Sequence, residues 1–173
     1  MKIRVAVIAV AVLFAWALKR HNADARVEDL WWILAPTAHL AGVVTDTAFT
    51  LQHGEGYLSR ERLFLIETSC AGVNFLVAAF GMLTVAGLRR AVSPLAAAQL
   101  LGQSLLMAYA AAVATNAARI SIAIAMAGHT AGTLTADEVH RVEGIVVYFS
   151  GLLLLYEGTR WLDSRFRLPL ITR

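Results

Sequence analysis

Apolar residues fall in five long stretches along the chain, and most of the charged residues lie in short clusters between them. The stretches cover residues 5–18, 30–47, 71–88, 95–114 and 142–162. Lipid-facing segments exclude charges because burying a charge in hydrocarbon is costly. The pattern therefore predicts an all-α, multi-pass membrane bundle of about five transmembrane helices.

Two segments depart from this pattern. Residues 120–127 form an apolar run that is too short to cross a bilayer, so they either extend the preceding helix or form a short interfacial helix. Residues 49–52, 53–56 and 57–68 have the pattern of a strand, a turn and a second strand. We expect a small extramembrane β-hairpin there, directly before Cys70.

The composition is that of a membrane protein. Of the 173 residues, 58% are hydrophobic and 16% are charged, and the mean hydropathy is +0.64. Soluble domains carry about 25% charged residues. The length allows one domain, so we expect a single integral membrane domain over residues 1–173. It divides into an N-terminal helix and polar loop at 1–29, a core at 30–162 and a basic tail at 163–173.

The formal net charge of +3 and the isoelectric point near 9.4 indicate membrane topology rather than nucleic-acid binding. The basic residues lie at the ends of apolar segments and form no stripe interleaved with aromatics, so we expect no nucleic-acid partner. Basic loops stay cytoplasmic, which places Arg89, Arg90 and the C-terminal arginines inside. The loops at 51–69 and 128–141 carry at least as many acids as bases and are expected outside. Five spans would then put the basic N-terminus outside, so the orientation of the first helix stays open.

The spacing brings three polar residues to one depth. Cys70 precedes Arg89 by about 19 residues, or about 28 Å of helix at about 1.5 Å per residue. Arg119 follows Pro94 by about 25 residues, or about 37 Å of helix. His140 precedes Arg160, in the C-terminal basic cluster, by about 20 residues, or about 30 Å. The hydrocarbon core is about 30 Å thick. We therefore expect a thiol, a guanidinium and an imidazole together near the outer interface.

Each of these residues also has a simpler interpretation. Cys70 is the single cysteine, and such a thiol often only packs, but its small, polar surroundings open a helix whose positive dipole end favours the thiolate. Arg119 lies between apolar segments, where it is either functional or snorkels to the interface. His140 is either an active-site imidazole or a solvated loop histidine, and His129 is its rival. Asn116 shares a helix face with Arg119, where it orients the arginine, donates to an oxyanion, or merely caps or breaks the helix.

Taken as a set, these residues predict cysteine-based acyl transfer. A thiolate attacks a carbonyl carbon and forms a thioester, while a histidine holds the thiolate as an ion pair and protonates the leaving amine. An arginine stabilises the negative charge that develops on the carbonyl oxygen. Cys70, Arg119 and His140 are therefore the candidate catalytic residues, and Asn116 is a supporting residue. This chemistry requires no metal and no cofactor, and we expect neither.

The chain resembles the exosortase/archaeosortase family of membrane-embedded cysteine transpeptidases. The resemblance rests on Ser-Cys-Ala-Gly at 69–72, Asn-Ala-Ala-Arg-Ile at 116–120 and His-Arg-Val-Glu-Gly at 140–144. Each motif falls near the outer end of a predicted helix, in the family's order of cysteine, arginine and histidine. The resemblance covers about residues 30–162, and the chain is similar in its shortness to the exosortase K branch. One departure is Ala71, where many members of the family have serine.

The resemblance implies a cysteine protease/transpeptidase of the cytoplasmic (inner) membrane whose active site faces outward. Cys70 would be the nucleophile, Arg119 the electrostatic stabiliser and His140 the acid/base. Family substrates are exported proteins with a C-terminal sorting signal, which consists of a short motif such as Pro-Glu-Pro, a hydrophobic helix and a basic cluster. The enzyme would cleave near the motif and pass the substrate to an acceptor in the cell envelope. The lipid bilayer would be its other partner.

Two other functions fit the same sequence. In a non-catalytic membrane assembly or transport subunit, Arg119 would pair with an acidic residue such as Glu143 or Glu67, and Cys70 would only pack. In a membrane thiol acyltransferase, the same cysteine would act on lipids. The sequence leaves the substrate open, and also whether the acyl group is transferred or hydrolysed.

Overall fold

Each of the five predicted apolar stretches contains an α-helix in a computed structural model of the chain. The structure describes residues 1–126 and 136–166, without the side chains of residues 136–140, 163 and 166. The helices are α1 (Lys2–Ala23), α2 (Trp31–Thr45), α3 (Val73–Gly87), α4 (Pro94–Met126) and α5 (Ala136–Phe166). Single turns of 3-10 helix precede α2 at Val27–Leu30, precede α3 at Thr68–Cys70 and follow α3 at Leu88–Arg90.

Three helical segments in the described part of the chain are long and apolar enough to cross a membrane. They are Thr68–Arg90, Pro94–Met126 and Arg141–Leu162. The prediction of about five spans is therefore larger than this number, and length explains the difference. α2 and α3 each have 15 residues, but α3 is extended at both ends by 3-10 turns into an apolar segment of 23 residues, whereas the turn before α2 carries Glu28 and Asp29. The apolar part of α1 covers only residues 5–18, about 21 Å of helix, and that of α2 reaches about 22 Å. Both are shorter than a hydrocarbon core of about 30 Å.

The apolar run at 120–127 continues α4 rather than forming a separate interfacial helix. α4 is unbroken over 33 residues up to Met126, and residue 127 lies outside the described residues. At about 1.5 Å per residue the helix is about 50 Å long, well beyond the thickness of a hydrocarbon core. Arg119 thus sits inside a continuous helix, seven residues before its last described residue.

A small antiparallel sheet lies between α2 and α3. The predicted β-hairpin before Cys70 is present as β1 (Thr50–Gln52) and β2 (Gly56–Ser59), but the second predicted strand divides and supplies a third strand, β3 (Phe64–Ile66). Tyr57 of β2 pairs with Ile66 of β3, which leads directly into the turn that holds Cys70. The sheet therefore positions the chain that enters the candidate site.

A side-chain contact anchors the hairpin turn to the segment before α2. The N–H of Gly54 donates to Oε1 of Glu28 at 2.8 Å, and His53 Nδ1 lies 3.8 Å from the same oxygen. Backbone hydrogen bonds to the Glu28 carboxylate, helped by the nearby His53, hold the pKa of Glu28 below its ordinary value. The turn and the 3-10 segment are thereby held together on the polar side of the sheet.

The core lies where α2 and α3 pack against α4. Fully buried apolar side chains from each helix meet there, with Leu34 from α2, Leu76 from α3 and Ile120 from α4 each at most 2% exposed. α1 packs on α3, whereas α5 packs against α4 and α3 at the edge of the bundle. None of the residues in the most apolar 18-residue stretch of α5, which lies within Arg141–Leu162, is buried, so most of that helix faces outward. An apolar helix exposed in this way is typical of one that contacts lipid.

Glycines bring α5 close to α4. A Cβ atom added at Gly151 would lie 2.7 Å from the side chain of Thr115, and one added at Gly144 would lie 3.4 Å from Nε of Arg119. Small residues at helix interfaces in membranes allow the backbones to approach closely. The sequence of α5 therefore lets it lie directly against the part of α4 that carries the candidate site.

Candidate functional site

Cys70 lies in the short turn between the sheet and α3. Its N–H donates to the carbonyl oxygen of Glu67 at 2.9 Å, and its Sγ is 3.8 Å from Oγ of Ser69. The residue is buried, with 8% of its surface exposed. The expectation that Cys70 opens α3 needs a correction, because Val73 is the first residue of α3 and Gly72 is its N-cap. Two residues therefore separate the cysteine from the helix.

Gly72 explains this local geometry. Its φ of +69° lies in the left-handed region, which glycine adopts without the steric cost of a Cβ atom. A Cβ atom added there would lie 3.3 Å from Cγ of Asn116, so the site also needs the space that glycine leaves. The turn after Cys70 can therefore press against α4 only with glycine at this position.

Asn116 connects α4 to the cysteine turn. Its side chain is completely buried, and Nδ2 donates a hydrogen bond to the carbonyl oxygen of Cys70. Its Oδ1 accepts a hydrogen bond from the hydroxyl of Tyr148 at 2.9 Å. The structure thus gives Asn116 a positioning role toward the Cys70 backbone, and it also joins Asn116 to α5. Asn116 does not break α4, which continues for ten residues beyond it.

Arg119 lies one helical turn beyond Asn116 and contacts the same tyrosine. Its Nη1 donates to the hydroxyl oxygen of Tyr148 at 3.0 Å, and its Cζ lies 5.4 Å from the centre of the Tyr148 ring. The guanidinium is also close enough to Cys70 and to Glu143 for a charge on either group to act on it. Tyr148 of α5 thereby holds the planar guanidinium in place. Apolar side chains alone could not do so, because they offer the guanidinium no hydrogen-bond acceptor.

These contacts form one network across three parts of the chain. The Tyr148 hydroxyl accepts from Arg119 and donates to Asn116, which in turn donates to the backbone of Cys70. Phe75 of α3 supports the tyrosine, with the two ring centres 5.5 Å apart. Buried networks in which each group has a partner restrain the geometry more than isolated bonds do. The structure thereby brings Cys70, Asn116 and Arg119 into one site.

The structure describes the backbone at His140 but not His129, the other candidate histidine. His140 falls within α5, but its side chain lies outside the described residues, and the whole of His129 lies outside them. The backbone register of α5 places position 140 one turn before Gly144 and two turns before Tyr148. Position 140 is about 40° around the helix from Gly144 and about 80° from Tyr148, so the three positions lie on one side of α5.

Sequence reasoning missed Tyr148 as part of the site. A tyrosine in an apolar helix is ordinarily a membrane-interface residue, and no motif singled it out. The usable signal was its spacing, because Tyr148 follows His140 by eight residues and Gly144 by four. A polar residue on the same face as two motif positions indicates a shared contact surface.

The site contains no recognisable metal centre within the part of the chain that the structure describes. Those residues include no group of three or more histidine, cysteine, aspartate or glutamate side chains able to hold a metal ion. The polar groups of the network are instead amide, phenol and guanidinium groups, which act as hydrogen-bond donors and acceptors. Donors of this kind can stabilise a developing negative charge.

Comparisons with known proteins return no match to this chain. No family model matches the sequence, no curated protein is similar to it, and no solved structure matches its fold. The network around Cys70 therefore has to be interpreted from its own geometry.

Proposed function

We propose that this chain is an exosortase-like membrane cysteine protease/transpeptidase that acts through a thioester on Cys70. The observation that carries the proposal is the network that ties Arg119 of α4 and the Cys70 turn to one tyrosine of α5. An arginine inside an apolar helix is costly, and here it is held in the network that also binds the backbone of Cys70, where a fixed positive charge would have a chemical use. The resemblance of the three sequence motifs to the exosortase/archaeosortase family supports the same reaction class.

The proposed reaction begins when the Cys70 thiolate attacks the carbonyl carbon of the scissile peptide bond. The sulfur–carbon bond forms, and an electron pair moves to the carbonyl oxygen, where Arg119 stabilises the negative charge. As this oxyanion collapses, the carbon–nitrogen bond breaks and the His140 imidazolium gives its proton to the departing amine. An acceptor amine or water then attacks the thioester, its proton passes to His140, and the thiolate leaves.

The proposal places the site at the outer face of the cytoplasmic membrane. The three apolar segments are long enough to span a bilayer, and the Arg89–Arg90 pair lies at the opposite end of α3 from Cys70. The positive-inside rule then puts Cys70 outside. A membrane-impermeant thiol reagent should label Cys70 in intact spheroplasts, although slowly because the side chain is buried. Labelling only after permeabilisation would reverse the proposed orientation.

The experiment that tests the function is co-expression with a tagged reporter. The reporter carries a C-terminal motif, a hydrophobic helix and a basic cluster, and processing is followed as a change in mass. The native protein should process it, and Cys70→Ala should not, at equal amounts of both proteins in the membrane fraction. Equal processing by the native protein and Cys70→Ala would exclude Cys70 as the nucleophile.

One observation favours the second candidate, a non-catalytic assembly or transport subunit. Arg119 interacts electrostatically with Glu143, as that function predicts, and Cys70 is buried among apolar side chains. In that case Glu143→Gln should lower the amount of folded protein in the membrane, because a buried charge would lose its partner. No reporter with a sorting signal would be processed by either the native chain or Cys70→Ala.

A further inference from the structure

A cavity of about 610 Å³ lies at the other end of the bundle from Cys70, between α3, α4 and α5. It lies beside the last two turns of α3, where Gly87 and Arg90 line it, and beside residues 156–162 of α5. Its volume is within the range of about 300–1,000 Å³ that is usual for pockets that bind small molecules. All three helices that form it are among the segments long enough to span a bilayer.

The cavity has one apolar wall and one cationic edge. The apolar wall extends from Met82 to the exposed side chain of Val85 on α3 and includes Leu162 on α5. Its charged residues are Arg90 and Arg160, and the lining as the structure describes it includes neither aspartate nor glutamate. Met82 precedes Arg90 by about two helical turns, so the apolar wall reaches about 12 Å into the bundle from the level of the arginine.

The cavity lining also includes polar groups. Gln103 and Ser104 of α4 and Thr159 of α5 line the cavity, and the Arg160 guanidinium lies 5.6 Å from the centre of the Tyr156 ring. Arg160 also contacts Glu157 at 3.6 Å, but both side chains are more than half exposed. An exposed ion pair of this kind is weak, so an anion that enters the cavity can compete for the arginine.

We propose that this cavity binds the head group of an anionic phospholipid. The arginines would contact the phosphodiester, the amide and hydroxyl groups would contact the glycerol portion, and the acyl chains would run along the apolar wall. Basic pockets between transmembrane helices are suited to such head groups. The occupant is a lipid rather than free phosphate because the charged edge continues into an apolar wall at bilayer depth. This inference rests only on α3, α4 and α5 spanning the membrane, and it does not depend on the reaction at Cys70.

The test is lipid binding by native mass spectrometry of the purified full chain in detergent. Phosphatidylglycerol is titrated against phosphatidylcholine, with inorganic phosphate as the third probe. The native protein should retain phosphatidylglycerol with at least tenfold preference over phosphatidylcholine, and millimolar phosphate should not displace it. The double variant Arg90→Gln/Arg160→Gln should bind phosphatidylglycerol about thirtyfold more weakly, since each arginine that contacts the head group should contribute about a fivefold effect.

Two further variants separate this site from general attraction between charges. Arg89→Gln removes the same charge one residue away from Arg90, outside the cavity lining, and should change binding less than threefold. Ala86→Trp leaves both arginines in place but fills the cavity, and it should weaken phosphatidylglycerol binding about as much as the double variant does. Equal losses for Arg89→Gln and Arg90→Gln, no preference between the two lipids, or full binding by Ala86→Trp would each overturn the proposal.

Discussion

Replacing Tyr148 with phenylalanine removes the hydroxyl that joins Arg119 to Asn116 and leaves the ring in place. Two hydrogen bonds are lost, of 3.0 Å from Arg119 and 2.9 Å to Asn116, while the packing of the ring against Phe75 is retained. Hydrogen bonds between helices in membranes contribute about 0.6 kcal/mol on average and at most about 1.7 kcal/mol. The loss of both should therefore lower the free energy of unfolding by about 1–3 kcal/mol.

The assay is unfolding of the purified protein by titration with SDS in mixed micelles, followed by circular dichroism. Tyr156→Phe is the matched control, because it makes the same change two turns further along α5 and outside the network, and it should cost less than about 0.5 kcal/mol. The double variant Tyr148→Phe/Asn116→Ala should cost less than the sum of its two single variants by at least about 0.5 kcal/mol. Equal losses for the two tyrosine variants, or strict additivity, would show that the hydroxyl joins nothing.

Three further changes test individual parts of the site. Arg119→Lys should lower reporter processing about 10²–10³-fold, because an ammonium lacks the planar fork of donors, whereas a near-native rate would reduce the arginine to a simple charge. Gly72→Ala should cost about 1–2 kcal/mol through its positive φ and its contact with Asn116, measured by the same SDS titration, while Gly81→Ala in open space should be neutral or stabilising. His140→Ala should slow alkylation of the cysteine near pH 6.5, because an imidazolium beside it would favour the reactive thiolate, and His129→Ala should not. Slowing by His129→Ala alone would transfer the acid/base role to that residue.

The positions of the helices could be predicted from the sequence more accurately than the number of helices long enough to cross a membrane. Apolar runs identify helices such as α1 and α2 regardless of whether they are long enough to span. The apolar part of α1, about 21 Å, is visible in the sequence, whereas the end of α2 at Thr45 and the 3-10 turns that extend α3 are known only from the structure. The β-hairpin was predicted from turn residues at 53–56, whereas the division of its second strand depends on pairing in three dimensions.

That Cys70 and Arg119 lie close together was expected from depth, because helix length fixes how far Cys70 lies from the basic Arg89 and how far Arg119 lies from Pro94 at the start of α4. Depth alone does not fix which faces of the helices meet. The faces that meet are set by Gly72 and Gly144, which have no side chain and therefore leave space for Asn116 and Arg119. Their role as spacers is visible only when the facing residue is known.

The contribution of Tyr148 illustrates the remaining gap. Its hydroxyl acts as acceptor for one residue of α4 and as donor to another, and both lie about 30 residues earlier in the chain. Pairings at such separations depend on how the helices rotate against each other, and rotation depends on packing rather than on residue type. The two motif residues on α4 were predictable from the sequence, whereas the spacing of Tyr148 from His140 and Gly144 indicated only its helix face and not its partners on α4.

Capture of an acyl intermediate on Cys70 is the most direct test of the proposed reaction. The native protein is mixed with a reporter that carries the sorting signal, quenched in acid and digested, and the peptide that contains Cys70 is examined by mass spectrometry. We expect the N-terminal portion of the reporter attached to Cys70 through a bond that hydroxylamine cleaves, as a thioester requires. Cys70→Ala should give neither the adduct nor the processed reporter. Processing at the native rate by Cys70→Ala, with no adduct in the native protein, would contradict a thioester mechanism.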